Sequence, residues 1–237
     1  MKKRLLLSLI PVNILILAIL ITVAFYGSRA VTVAIENDDF TRKHCIIIDA
    51  GHGGVDGGAT SCTGVYESDI NLEFALRLNA LLQLLGYQTK MIRTTDISVY
   101  TEGESIAQKK ISDLKERVRI TNSTENPVLI SIHQNYFSDP RYSGAQVFYA
   151  TTPDSERLAK SLQSKLVETV NVGSNRQAKK AKGIYLMERI NCTGVLIECG
   201  FLSNRIEEAM LRSKPYQLKI CAVIATEMGS QLATATA

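Results

Sequence analysis

Two of the three histidines, His52 and His133, follow short apolar runs, as does Glu198, and Glu67 stands just before the first long helical pattern. Imidazole nitrogen and carboxylate oxygen are donors that zinc accepts. A catalytic zinc site typically has three protein ligands and one position open to water. His52, Glu67 and His133 would make a His-Glu-His set, with Glu198 as the base for an activated water. Each residue alone has a plainer reading. A lone histidine after a strand is more often a structural hydrogen-bonding residue. Glu67 would equally complement the positive end of the helix dipole that follows it. Glu198 resists that treatment, because an ionised carboxylate on a buried strand is costly without a partner. The third histidine, His44, opens the first strand at the end away from His52 and reads as structural. From the residues alone the set implies a metal hydrolase, with metal and substrate open.

The elements that must carry these residues alternate. Cys45-Ile46-Ile47-Ile48 is a continuous apolar run that predicts a strand buried on both faces. It ends in Asp49-Ala50-Gly51-His52-Gly53-Gly54, where glycines on both sides of His52 allow a sharp turn. Ile70, Phe74, Leu78, Leu81 and Leu85 predict an amphipathic helix over 68–85, ended by Gly86. Strands are predicted at 87–92, 128–132, 145–149 (nearer an edge) and 195–197. Further helices are predicted at 106–122, with Lys, Arg and Glu on an open side, and at 216–228. A helix led by Pro153 with Thr152 as its cap carries a buried stripe from Leu158 to Val170. This order predicts one α/β domain with a mostly parallel central sheet flanked by helices, over 44–230. Ligands of such sheets gather outside the carboxyl ends of the strands, where His52, His133 and Glu198 fall.

The formal net charge is +4, yet Lys2, Lys3, Arg4 and Arg29 account for all of it, so residues 31–237 are formally neutral. A nucleic-acid binder would show its basic surface in the body, which sets that class aside. Leu5 to Tyr26 carries no charge, and as a helix would span about 33 Å, enough for a hydrocarbon core of about 30 Å. Residues 1–30 therefore read as a membrane anchor or a signal peptide, with the body on the outer side. Residues 31–43 read as a linker and 231–237 as a tail. Five cysteines cannot all pair within one chain and show no C-x-x-C spacing. Cys45 and Cys199 read as small buried side chains.

Residues 46–59, together with Glu67-Ser-Asp-Ile-Asn-Leu, Arg93-Thr-Thr-Asp, Ser131-Ile-His-Gln-Asn and Glu198-Cys-Gly-Phe-Leu-Ser-Asn, resemble the ordered motifs of the zinc-dependent N-acetylmuramoyl-L-alanine amidases (amidase_3). The resemblance implies one zinc held by His52, Glu67 and His133, with Glu198 as the catalytic carboxylate. It implies hydrolysis of the amide between N-acetylmuramic acid and L-alanine in peptidoglycan, the stem peptide being the substrate. The short layout and the segment 138–144 resemble the germination-specific, spore-cortex subgroup, which prepares muramic-δ-lactam. A vegetative amidase of growth or cell separation would share that layout. Control by a separate activating protein is left open. Two other classes compete: an inactive peptidoglycan-binding amidase fold, and a carboxypeptidase-like zinc peptidase. The intact four-residue set argues against the first, and the lack of a motif for a terminal carboxylate against the second.

Overall fold

The computed structural model describes residues 43–233. The expected leader, nearly all of the linker and the end of the tail lie outside the described residues. The chain divides into two units, 1–40 and 41–237, and every described residue belongs to the second. Among the described residues, no helix is long and apolar enough to cross a membrane.

Six strands form one sheet: β1 (Cys45–Ala50), β2 (Gln88–Met91), β3 (Pro127–Asn135), β4 (Gln146–Tyr149), β5 (Lys179–Lys180) and β6 (Thr193–Phe201). Their order is β2-β1-β3-β6-β4-β5. The first four in that order run parallel, and β4 lies antiparallel to β6. Ile46, Ile47 and Ile48 are fully buried, as an all-apolar central strand must be when both faces are covered. Such burial contributes about 1.5–3 kcal/mol per side chain.

Among the described residues the helices are α1 (Glu67–Leu84), α2 (Ile106–Asn122), α3 (Ser155–Thr169), α4 (Tyr185–Arg189), α5 (Arg205–Leu211) and α6 (Lys214–Ala233). α6 packs against both α1 and α3 on one side of the sheet. On the other side α2 and α4 pack together, and Leu186, Met187 and Ile190 meet Ile47, Leu129 and Leu196 of the central strands. Strand side chains alternate with period two. Two residues beyond those three apolar positions stand Asp49, Ser131 and Glu198, and His133 follows Ser131 by two more. The α2/α4 side thus turns from apolar to polar towards the carboxyl ends, and there the chemistry sits.

Three short elements, β5, α4 and α5, have no counterpart among the elements expected from sequence, since two, five and seven residues are too few to show a period. The expected cap of α3 is corrected. Asp154 takes a left-handed conformation (φ 64°), so the turn continues past Pro153 and the helix starts at Ser155. The Thr152 hydroxyl instead meets Ser155 Oγ and donates to Cys192 O. All five cysteines are free, with Cys199 buried and Cys45 only half-buried at the edge of its strand.

Candidate active site

Glu67 is the first residue of α1, and its carboxylate is nearly buried. Oε1 accepts from Gln134 N (3.1 Å) and Asn71 Nδ2 (3.2 Å) and lies 3.0 Å from His133 Nδ1. Oε2 accepts from Ala59 N (3.1 Å) and lies 3.2 Å from His52 Nε2. Both histidines therefore converge on one carboxylate, and a donor atom from each of His52, Glu67 and His133 lies within 4.8 Å of the others.

Two glycines make room for this convergence. A Cβ on Gly51 would stand 2.2 Å from the His133 ring, and one on Gly58 would stand 2.6 Å from Glu67 Oε2. His52 itself has φ 61°, which is unusual for a residue with a side chain and costs about 1–3 kcal/mol. Two buried guanidiniums hold that turn. Arg93 donates to Ala50 O, Gly51 O and Ser68 O, tying the His52 turn to the start of the Glu67 helix. Arg117 donates to Ala50 O and His52 O and pairs with Asp49 and Asp113. Asp49 also accepts from Ser131 Oγ at 2.6 Å, two residues before His133. Arg117 is 2% exposed, so the charged helix predicted at 106–122 turns one of its cations inward rather than to solvent.

The charge states follow from these partners. Burial opposes the charge on Glu67, but hydrogen bonds to His133 and His52 outweigh it and hold the carboxyl far below its ordinary range. Burial likewise opposes the His52 imidazolium, yet Asp56 and Glu67 push its pKa up to about 9. Burial would raise Asp49, but Arg117, His133 and the Ser131 hydroxyl outweigh it and keep it low.

Glu198 has the opposite surroundings. It lies beside His133 in the parallel register of β3 and β6. Its Oε2 is buried and has no hydrogen-bond partner. Burial, aided by the charge of Glu67 and opposed by His133 and His52, raises its pKa to about 7. A polar atom sealed from water with nothing to bond is expensive, and such atoms mark places where a further group belongs.

The structure thus brings His52, Glu67 and His133 together with Glu198 alongside, and leaves His44 just before β1, at the far end of that strand. Two nitrogens and one carboxylate oxygen are a donor set suited to catalytic zinc. Beside the set a cavity of about 320 Å³ opens between α2 and α4, with His52, His133, Lys110, Leu114, Ile184 and Tyr185 in its walls. Sequence reasoning missed Asp56, Lys110, Arg93 and Arg117 as supports. Asp56 left a local signal, four residues after His52 in the same glycine-rich turn, and Arg93 heads one of the motifs that carry the resemblance, with no role assigned to it.

The sequence profile described as N-acetylmuramoyl-L-alanine amidase (Amidase_3) matches residues 46–229. The chain is 39% identical over 181 residues to the germination-specific N-acetylmuramoyl-L-alanine amidase of Bacillus subtilis, covering 76% of each protein. The CwlD amidase of Clostridioides difficile, solved in complex with the GerS lipoprotein, is similar in structure, with a TM-score of 0.77 and 38% identity. That match covers 80% of this chain and 98% of the other. An N-acetylmuramoyl-L-alanine amidase of Clostridium difficile 630 follows with a TM-score of 0.68 and 29% identity, over 78% of this chain and 94% of that one.

Proposed function

The chain belongs to the N-acetylmuramoyl-L-alanine amidase family, and from that premise we propose that it is a zinc enzyme of the spore cortex. Its activity is that of a peptidoglycan amidase, cutting between N-acetylmuramic acid and L-alanine. The observation that carries the zinc reading is the convergence of His52, Glu67 and His133 donor atoms beside a buried, unpartnered Glu198 oxygen. One zinc per chain would be held by those three residues. When bound, zinc polarises the amide carbonyl and makes water acidic enough to attack near neutral pH.

The protein's own groups divide the remaining work. Glu67 stays ionised, because two histidines and two backbone amides meet its oxygens. Glu198, whose pKa burial raises to about 7 in the metal-free protein, accepts the proton of the attacking water and returns it to the departing L-alanine amine. The cavity between α2 and α4 gives the peptide side of the substrate a partly apolar slot next to the reacting bond. The peptidoglycan substrate places the body outside the cytoplasmic membrane, delivered or tethered by residues 1–30. The similarity to a germination-specific amidase supports cortex modification leading to muramic-δ-lactam, and the lipoprotein complex of a similar amidase supports a separate activating partner.

Incubation of the zinc-loaded protein with peptidoglycan should release new L-alanine amino termini, and removal of the metal should abolish that release. Unchanged muropeptides, with and without an activating wall extract, would contradict the amidase activity. Spores lacking the protein should lack muramic-δ-lactam. Cortex that keeps its full δ-lactam content would move the role to vegetative wall.

A further inference from the structure

Asp56 lies in the glycine-rich turn but belongs neither to the donor set nor to the carboxylate that moves the proton. Its backbone N and O both pair with Gly53, which fixes the loop under it. Its two oxygens are divided. Oδ2 lies 2.8 Å from His52 Nδ1, and Oδ1 lies 2.7 Å from Lys110 Nζ and accepts from Gly58 N at 3.2 Å. Lys110 is on α2, a helix that contributes no member of the donor set. The opposite ring nitrogen of His52, Nε2, faces Glu67 inside the set.

We propose that Asp56 and Lys110 are positioning residues that fix the ring of His52 from behind and thereby set how tightly the chain holds its metal. This rests on reading His52 as a ligand. A carboxylate that accepts Nδ1–H leaves Nε2 with a bare lone pair, fixes the tautomer and stops rotation of the ring about its bond to Cβ. Lys110 and Gly58 N hold the other oxygen, so the carboxylate cannot swing away. The strained backbone of His52 makes such a support valuable, because a left-handed residue with a loose side chain has several ways to relax.

The test measures zinc affinity of the full chain by competition with a chromophoric chelator, alongside the melting temperature of the metal-free protein. Asp56→Ala should bind zinc about 10–100-fold more weakly than the parent. Asp56→Asn keeps an acceptor for Nδ1–H but turns its NH2 group on Lys110 and Gly58 N, so it should recover only part of that loss. Lys110→Met should weaken binding several-fold, and Lys110→Arg should restore it. Parental zinc affinity in Asp56→Ala would overturn the proposal. So would an equal loss in the Ala and Asn variants, or a lower melting temperature with no change in affinity, since these describe a merely structural residue. His133→Ala serves as the separate control. If it too binds zinc at parental affinity, the donor set is wrong and the failure belongs to the zinc reading rather than to Asp56.

Discussion

Glu67 and Glu198 flank the same histidine, and the protein treats them in opposite ways. Glu67 opens a helix, has every oxygen occupied and stays ionised far into acid. Glu198 stands on a strand, keeps one oxygen sealed and unbonded, and has its pKa lifted to about 7. Two carboxylates whose surroundings drive their proton affinities apart are suited to two tasks, one to hold a cation and one to carry a proton. The difference comes from neighbours rather than residue type. Helix start, backbone amides and imidazoles meet the oxygens of the first; the second is buried beside the same charges with no donor on its Oε2.

The contrast can be broken most severely at Glu67. Glu67→Ala should reduce bound zinc after dialysis from one per chain to nearly none, an affinity loss beyond the 10–100-fold typical of supporting residues. Normal metal content by elemental analysis would show that Glu67 is not what the donor set depends on. Next comes the scaffold beneath. Arg117→Met strands Asp49 without its cation and should cost about 3–5 kcal/mol. The melting temperature should then fall by roughly 10 °C. A shift of a degree or so would mean that the guanidinium does not brace the His52 turn.

The paired histidine gives a third, pH-dependent, effect. The metal-free pKa of His52 is raised from 6.5 to about 9, so its charged form adds stability that is complete below pH 6.5 and is lost as pH rises through about 9. A metal must displace that proton. Zinc affinity should therefore climb by up to about tenfold per pH unit between pH 6.5 and 9, with proton release seen by calorimetry in buffers of different ionisation heat. A flat profile across that window would contradict the charged His52 between Asp56 and Glu67.

The smallest effect concerns Glu198 in the metal-free protein. Its folded pKa lies above the ordinary 4.5, so its ionisation destabilises the fold progressively as pH rises from about 4.5 to 7, and fully above that. Glu198→Gln should raise the metal-free melting temperature at pH 8 on the order of 5 °C and leave it unchanged at pH 4. Equal melting at both pH values would mean that Glu198 is solvated like any surface carboxylate.

That the four central residues meet was legible in the sequence, because the rule about carboxyl ends of parallel strands needs only strand order and a few apolar runs. His52, His133 and Glu198 follow such runs, and Glu67 opens an evident helix. Their supports were not legible. Arg117 and Lys110 sit on a helix with abundant charge, and nothing in spacing distinguishes a cation buried against Asp49 from one facing water. Lys110 reaches Asp56 across 54 positions of chain, a meeting that depends on how α2 lies on the sheet. The start of α3 was misplaced for a local reason. Proline and threonine at 152–153 announce a helix, but the left-handed Asp154 delays it.

The most direct test of the division of labour is Glu198→Gln, measured for zinc content and turnover on the same preparation. The expected result is one zinc per chain, as in the parent, with release of L-alanine amino termini slowed about 10²–10⁴-fold. Lost zinc would make Glu198 a ligand, and undiminished turnover with zinc in place would leave the proton to another group.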